Sequence, residues 1–459
     1  MKMGISWRQA AAITKGRLTS GHEGEIFNSF TTDSRLAHSG DVFMALRGEK
    51  HDAHDFIAQA LAQGASSIIA ENGWLEKHPT RARHILGVEN TLHALWALAA
   101  AHRMRCNIPV AAITGSNGKS TTKEMLRGIF SVRGQVCANK GNLNNQYGAP
   151  LSVLELSEAD KFAVFELGAS RQGDIRDTGS VVRPDIGVII NVSAAHLQFF
   201  GDLETVYKTK TEMTECIKEG GTLVYNADDP RLAEHIVFSK TMKYMNFGFN
   251  EKADVRIMTE TGPVVLSCKG ENIELPLTLR RHDRLNAAAA CAAALCAGFT
   301  RAEIAEGFGL FRPMPMRLQI EKIGSTTFIL DAYNANPASM KAALTALCES
   351  ANPRPLTAVL GDMRELGAYS AKYHAELGAA AAQNAAISAV YLAGPEMKPG
   401  YDAALAAGGQ EKVKYSPEPD GWFDDLLARA KHGGTVLIKA SRAMGFEKIF
   451  EKIKSSKGN

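Results

Sequence analysis

The apolar, β-branched run Val110–Thr114 opens directly into Gly115-Ser116-Asn117-Gly118-Lys119-Ser120-Thr121, and residues 119–130 then have the composition of a helix. No other stretch constrains the fold as much. A strand that passes through a glycine-containing turn into a helix N-terminus belongs at the carboxyl edge of a parallel sheet. Backbone N–H groups there converge on an anion and the helix dipole adds to the attraction. Thr114, Gly115, Ser116, Asn117, Gly118, Lys119, Ser120 and Thr121 are therefore candidate ATP-binding residues. Lys119 is the point charge for the β- and γ-phosphates, and Ser120 or Thr121 is a hydroxyl for Mg²⁺. The spelling departs from Gly-x-x-x-x-Gly-Lys because position 113 is Ile. A plain turn with a solvated lysine is the alternative; the joint occurrence of strand, turn, Gly-Lys-Ser-Thr and helix favours nucleotide.

A chain of 459 residues is too long for one ordinary core. Short β-branched runs alternate with helical stretches in three blocks, which predicts an α/β protein of three domains. Residues 1–107 form a small N-terminal α/β domain with strands near 41–46 and 67–70 and helices over 55–63 and Thr91–Arg105. Residues 108–312 form the central P-loop domain with a mostly parallel sheet, its strands at Val110–Thr114, 162–165, 186–190 and 222–225, followed by an Ala-rich helix over 286–297. A Pro-rich hinge near 312–316 leads into a C-terminal Rossmann-like α/β domain, 313–459, with strands near 328–330, 357–360, 389–392 and 436–438. The 52 basic and 49 acidic residues nearly balance, which argues against a dedicated nucleic-acid binder. Seven scattered cysteines without a Cys-x-x-Cys pair argue against zinc or a disulfide framework. Without a signal-like N-terminus or a long apolar span, a cytoplasmic protein with no membrane span is expected.

A metal on phosphates needs acidic or imidazole ligands nearby. Glu166 ends the run 162–165 and His196 follows the run 186–192, both at the ligand edge of an open α/β sheet. Taken singly, Glu166 could equally cap a helix and His196 could be a surface imidazole.

Taken together, the phosphate loop, the Glu166 strand, Ala194-Ala195-His196 and Tyr207-Lys208-Thr209-Lys210 resemble the central domain of the Mur ligases. The resemblance runs essentially end to end. It includes Thr31-Thr32-Asp33-Ser34-Arg35, Lys140-Gly141-Asn142-Leu143-Asn144-Asn145, Asp331-Ala332-Tyr333-Asn334-Ala335-Asn336-Pro337, Leu360-Gly361-Asp362-Met363-Arg364-Glu365-Leu366 and Lys439-Ala440-Ser441-Arg442. The Gly-Asn-Leu-Asn-Asn, Tyr-Asn-Ala-Asn-Pro and Gly-Asp-Met segments are similar to those of members that add D-alanyl-D-alanine to UDP-N-acetylmuramoyl-tripeptide. The resemblance implies an ATP- and Mg²⁺-dependent ligase of peptidoglycan synthesis that works through an acyl-phosphate, and a monomer is expected.

The same resemblance implies roles for single residues. Lys119, Lys210, His196 and Glu166 are the catalytic set. Ser120, Glu166, His196 and Lys210, the last as a carbamate, are the metal ligands; Lys208 would face elsewhere on its helix. Asn286 is the adenine candidate, with Asp283 standing where Asn is usual. Arg317 could reach a phosphate across the domain boundary and Asp331 could accept ribose hydroxyls. Ser34, Arg35 and Arg47 are the candidates for the UDP end. Asn144, Asn334 and Asn336 are further substrate-binding candidates, and Lys439, Ser441 and Arg442 those for the dipeptide carboxylate. Two other readings stay open: a related amide ligase such as folylpolyglutamate synthase, which lacks a separate UDP-binding domain, and a P-loop switch whose ATP hydrolysis drives a macromolecular partner.

Overall fold

The computed structural model describes residues 2–48, 51–349 and 352–456. Its strands form three sheets. The first runs Lys2–Ser6, Ile26–Thr31, Val42–Met44, Ser67–Glu71, Ile85–Val88 and Arg17–Ser20, parallel in the middle with an antiparallel strand at each edge. The third runs Gln319–Ile323, Thr326–Leu330, Gly434–Lys439, Leu356–Gly361, Ile387–Ala393 and Val413–Ser416; only its first strand is antiparallel. The three-lobed α/β architecture is the one expected.

The central sheet holds the phosphate loop. Seven parallel strands run from Gln135–Ala138 through Asp160–Glu166, Val110–Thr114, Ile186–Ile189, Thr222–Asn226 and Lys243–Gly248 to Val255–Ile257. The antiparallel strands Pro263–Cys268 and Glu271–Thr278 extend one edge. This extension escapes sequence reading because its strands alternate buried and exposed residues instead of forming continuous apolar runs. The chain leaves Val110–Thr114 towards one side of the sheet and later crosses to place Ile186–Ile189 on the other. The phosphate loop therefore stands where strand order reverses, the ligand position of open α/β sheets.

Two helices tie this sheet to its surroundings. Thr91–Arg105 buries Ala94, Leu95, Leu98 and Ala99 in one continuous core with Trp7 and Phe27 of the first lobe and Val110 and Phe165 of the second. Its buried Arg103 donates to the Val182 carbonyl at 3.0 Å and to Asp185 at 3.1 Å, so the guanidinium is paired. The Ala-rich helix starts five residues before the expected 286, at Arg281, because Arg281–Asp283 already supply a helix-compatible first turn. Its run of Ala and Cys from 287 to 294 is fully buried against the other face of the sheet.

The helix that begins at the phosphate loop, Lys119–Ser131, lies very close to Arg301–Leu310. A Cβ on Gly307 would sit 2.3 Å from the Ile129 Cα, and one on Gly128 would sit 2.8 Å from the Gly307 carbonyl oxygen. Gly307→Ala is therefore expected to force these helices apart and destabilise the central lobe by about 1–3 kcal/mol. Thermal unfolding should show a lowered midpoint, and an unchanged midpoint would contradict the packing described.

Candidate active site

The loop is braced before any ligand arrives. Ser116 N–H donates to the Asn191 carbonyl at 3.0 Å, Asn117 N–H to Asn191 Oδ1 at 3.0 Å, and Ser116 Oγ to the Ser193 carbonyl at 3.0 Å. Thr114 Oγ1 donates to the Leu167 carbonyl at 3.0 Å. Gly118 takes φ 83°, and a Cβ there would lie 2.1 Å from Asn286 Oδ1, so only glycine fits that turn. Lys119 Nζ donates to the Gly115 carbonyl at 2.9 Å, folding the ammonium back over the loop.

Glu166 lies beside the loop because Ile113 pairs with it across the sheet. Its Oε2 accepts from Ser120 Oγ at 2.6 Å and its Oε1 from Asn144 Nδ2 at 2.7 Å. Asn139 holds the Glu166 backbone through both N–H and C=O, at 2.9 and 2.8 Å. From the third lobe, Arg317 Nη2 donates to Ser120 Oγ at 2.9 Å while its guanidinium stacks 4.1 Å from the Tyr333 ring. His196 takes φ 55° and bonds through Nδ1 to Glu365, also from the third lobe.

These groups face one open cleft of about 1270 Å³. Lining it are Gly115 to Lys119, Thr121, Asn144, Glu166, His196, Lys210, Asn286, Arg317, Asp331, Asn334, Lys439, Ser441 and Arg442. Thr114 and Ser120 lie buried beneath it. Ser34, Arg35, Arg47 and Asn336 are not on its walls.

Several residues expected to meet substrate already have protein partners. Lys439 is buried, its ammonium donating to Asp331 Oδ2 at 2.6 Å and to the Asn334 carbonyl at 2.9 Å; it neutralises Asp331 rather than presenting a free cation. Asn336 caps the helix Pro337–Leu347 and donates to Asn117 Oδ1 at 2.7 Å, a contact between the third lobe and the phosphate loop. Asn144 positions Glu166. Ser441 Oγ accepts from Arg364 N–H at 2.9 Å, and Arg442 pairs with Glu447 at 2.8 Å. In the first lobe, Ser34 donates to Gln59 at 3.0 Å, Arg35 pairs with Asp33 at 2.6 Å, and Arg47 pairs with Glu71 at 2.9 Å and Asp52 at 3.2 Å. Asp283 bonds Asn286 at 3.1 Å and pairs with His282 at 3.3 Å, steadying the adenine candidate. Sequence reasoning missed Asn139, Asn191, Ser193 and Glu365. The first three follow strands at the same sheet edge, which could have flagged them; Glu365 lies in a noted segment but carries no local sign of reaching His196.

The lysines are electrostatically unusual. Burial pushes the Lys119 ammonium below its ordinary range, with Glu166 opposing the shift and Arg317 adding to it. Lys210 is buried, and desolvation, with Lys119 nearby, brings its value down to about 7. Lys208, two residues earlier, is exposed and paired with Glu204 at 3.6 Å. Among the described residues, no three His, Cys, Asp or Glu side chains form a ready metal cage. Nucleotide-bound Mg²⁺ does not need one: it takes one or two protein oxygens together with phosphate oxygens and water. The Ser120 hydroxyl and Glu166 carboxylate, already in contact beneath the loop, fit that demand.

Lys210→Met removes a buried ammonium. The folded value of about 7 lies below the ordinary 10.5 of an unfolded lysine, so well below pH 7 both states hold the proton and the full penalty is present. The penalty fades as pH rises towards 10.5, where both states are neutral. In CO₂-free buffer the variant's gain in thermal midpoint over the parent should be greatest below pH 7 and shrink as pH rises through 7 to 9 or so. A gain that grows with pH would contradict this electrostatic account.

Comparison with known proteins gives one consistent answer. Residues 113–294 match the Mur ligase middle domain, and residues 316–442 match the Mur ligase, glutamate ligase domain. The chain is 32% identical over 447 residues to the UDP-N-acetylmuramoyl-tripeptide–D-alanyl-D-alanine ligase of Bacillus subtilis (strain 168), covering 96% of each chain. Crystal structure I of MurF from Acinetobacter baumannii superposes with a TM-score of 0.89 at 32% identity over 99% of both chains. The MurF ligase of Thermotoga maritima in complex with ADP superposes with a TM-score of 0.82 at 30% identity, covering 94% of this chain and 98% of that one.

Proposed function

The chain belongs to the Mur ligase family, and on that basis we propose that it uses ATP to join D-alanyl-D-alanine to UDP-N-acetylmuramoyl-tripeptide, giving the UDP-muramoyl-pentapeptide of peptidoglycan synthesis. Similarity along essentially the whole chain to ligases of that name carries the reading. The cleft supplies the chemistry: phosphate loop, carboxylate and buried amine converge there with residues of the third lobe. Seven free cysteines fit a reducing, cytoplasmic setting.

A carboxylate oxygen of the peptide attacks the γ-phosphorus and ADP leaves, giving the acyl-phosphate. The dipeptide amine then adds to the acyl carbon, a proton is lost, and phosphate departs as the amide forms. The first step brings two anions together, and two unit charges 4 Å apart repel by about 4 kcal/mol at an effective dielectric of 20. Neutralising and orienting them is thus the main task. Lys119 and Arg317 supply fixed positive charge beside the loop, and the loop N–H groups orient the phosphates. Ser120, Glu166, His196 and Lys210 are the residues that would hold Mg²⁺, which when bound neutralises phosphate charge and polarises the transferred group.

Lys210 fits a carbamate because, with a value of about 7, much of its amine is neutral and nucleophilic at physiological pH. The ammonium first gives up one proton, and addition of CO₂ to the neutral amine releases a second, so a cation beside Lys119 is replaced with an anion and repulsion becomes attraction. Asn286, whose side chain packs on Gly118, is the adenine contact, and Asp331, its charge balanced by Lys439, accepts ribose hydroxyls. In residues 1–107, Ser34, Arg35 and Arg47 take the UDP end. Arg442, half-exposed on the cleft wall, meets the dipeptide carboxylate.

The test is ATP turnover with a panel of UDP-muramoyl peptides, single amino acids and dipeptides. ADP is expected only when a UDP-muramoyl-tripeptide and D-alanyl-D-alanine are both present, with a product heavier by two alanine residues. A product that gains one amino acid would replace the proposal with a sister ligase.

A further inference from the structure

His196 reaches the cleft in a backbone state that residues other than glycine seldom adopt, φ 55°. Its imidazole is not free to turn, because Nδ1 is hydrogen-bonded to Oε2 of Glu365, 169 residues further along the chain. Glu365 lies in the loop after the strand Leu356–Gly361, on the third sheet, and has a left-handed φ of 65° itself. The two loops touch twice more. Gln198 N–H donates to the Glu365 carbonyl at 3.0 Å, and a Cβ on Gly367 would lie 3.0 Å from the Gln198 Cα.

Stability alone gives a poor account of this pair. The side chains of His196 and Glu365 are 32% and 46% exposed, a setting in which ion pairs contribute little. Strained backbone on both sides of a weakly stabilising contact is the pattern of a functional constraint. A carboxylate at Nδ1 holds the ring proton there and leaves the Nε2 lone pair available, the arrangement used to orient imidazole ligands. Nε2 has no partner among the described residues, and His196 shares the cleft with Lys119, Glu166 and Lys210.

We propose that Glu365 is a positioning residue that orients His196 and fixes its tautomer so that Nε2 is presented to the nucleotide's divalent cation. Because Glu365 arrives on the third lobe, the imidazole is set only when that lobe is docked on the phosphate loop. The docked arrangement is held independently by Asn336 on Asn117 and Arg317 on Ser120. The inference rests on the assignment of His196 to the metal under the proposed function.

The experiment measures Mn²⁺ binding by electron paramagnetic resonance with a non-hydrolysable ATP analogue present. It compares the parent chain, Glu365→Ala, Glu365→Gln, His196→Ala and the double variant Glu365→Ala/His196→Ala. Glu365→Ala is expected to weaken Mn²⁺ binding roughly 10- to 100-fold. Glu365→Gln, which keeps an acceptor oxygen, should recover most of the affinity. In the His196→Ala background Glu365→Ala should have no further effect, since there is no ring left to orient. Unchanged affinity in Glu365→Ala, or an equal loss with and without His196, would overturn the inference while leaving the metal assignment intact. Unchanged Mn²⁺ affinity in His196→Ala would overturn the assignment itself, and the inference with it.

Discussion

The cleft depends on one hydroxyl. Ser120 Oγ donates to Glu166 at 2.6 Å and accepts from Arg317 at 2.9 Å, joining the phosphate loop, the neighbouring strand and the third lobe through a single buried atom. Water does not compete at that depth, so both bonds keep their directionality. The strand register that pairs Ile113 with Glu166 sets the first bond, and the positive φ values of Met316 and Leu318 on either side of Arg317 turn the chain for the second. Asn144 and Asn139 then fix the remaining Glu166 oxygen and its backbone, leaving the carboxylate little freedom to rotate.

Charge follows the same geometry. Lys119 and Arg317 stand near Glu166, Lys210 has Lys119, Asp174 and Glu212 around it, and burial has already lowered both lysine values. A low-dielectric cleft with surplus positive charge is held at a cost that a polyphosphate relieves, so part of the affinity for nucleotide is stored in the protein before binding. The Lys439–Asp331 pair is different: the ammonium and carboxylate satisfy each other at 2.6 Å and add little net field. The cations of the cleft thus serve two purposes, Lys119 and Arg317 attracting ligand and Lys439 shaping the wall.

Much of this was legible from residue order, for a physical reason. Parallel strands buried on both faces must be continuous apolar runs, so Val110–Thr114 and the runs ending at Glu166 and Ile189 stand out, and the residues that follow them fall at the ligand edge. The antiparallel hairpin over 263–278 was not legible, because half of its side chains face solvent. At the cleft, residue type announced capacity without revealing commitment. Lys439 and Asn336 have the chemistry to bind substrate, but partners more than a hundred residues away occupy them. Glu365 is the converse case, since its significance depends on a docking between lobes that no local pattern encodes.

The helix Thr91–Arg105 carries one last consequence. Because a single hydrophobic core runs from Trp7 through this helix to Phe165, the first two lobes cannot shift against each other without opening buried apolar surface. The Trp96 indole reinforces the join by donating to the Gln146 carbonyl at 2.7 Å, as does Tyr147, whose hydroxyl donates to the Arg47 carbonyl at 2.9 Å. Under the proposed function those lobes act as a rigid ruler, with the nucleotide-sugar end read at one mark and the phosphate loop fixed at another. The distance between those two marks is then set by buried packing alone, independently of the third lobe.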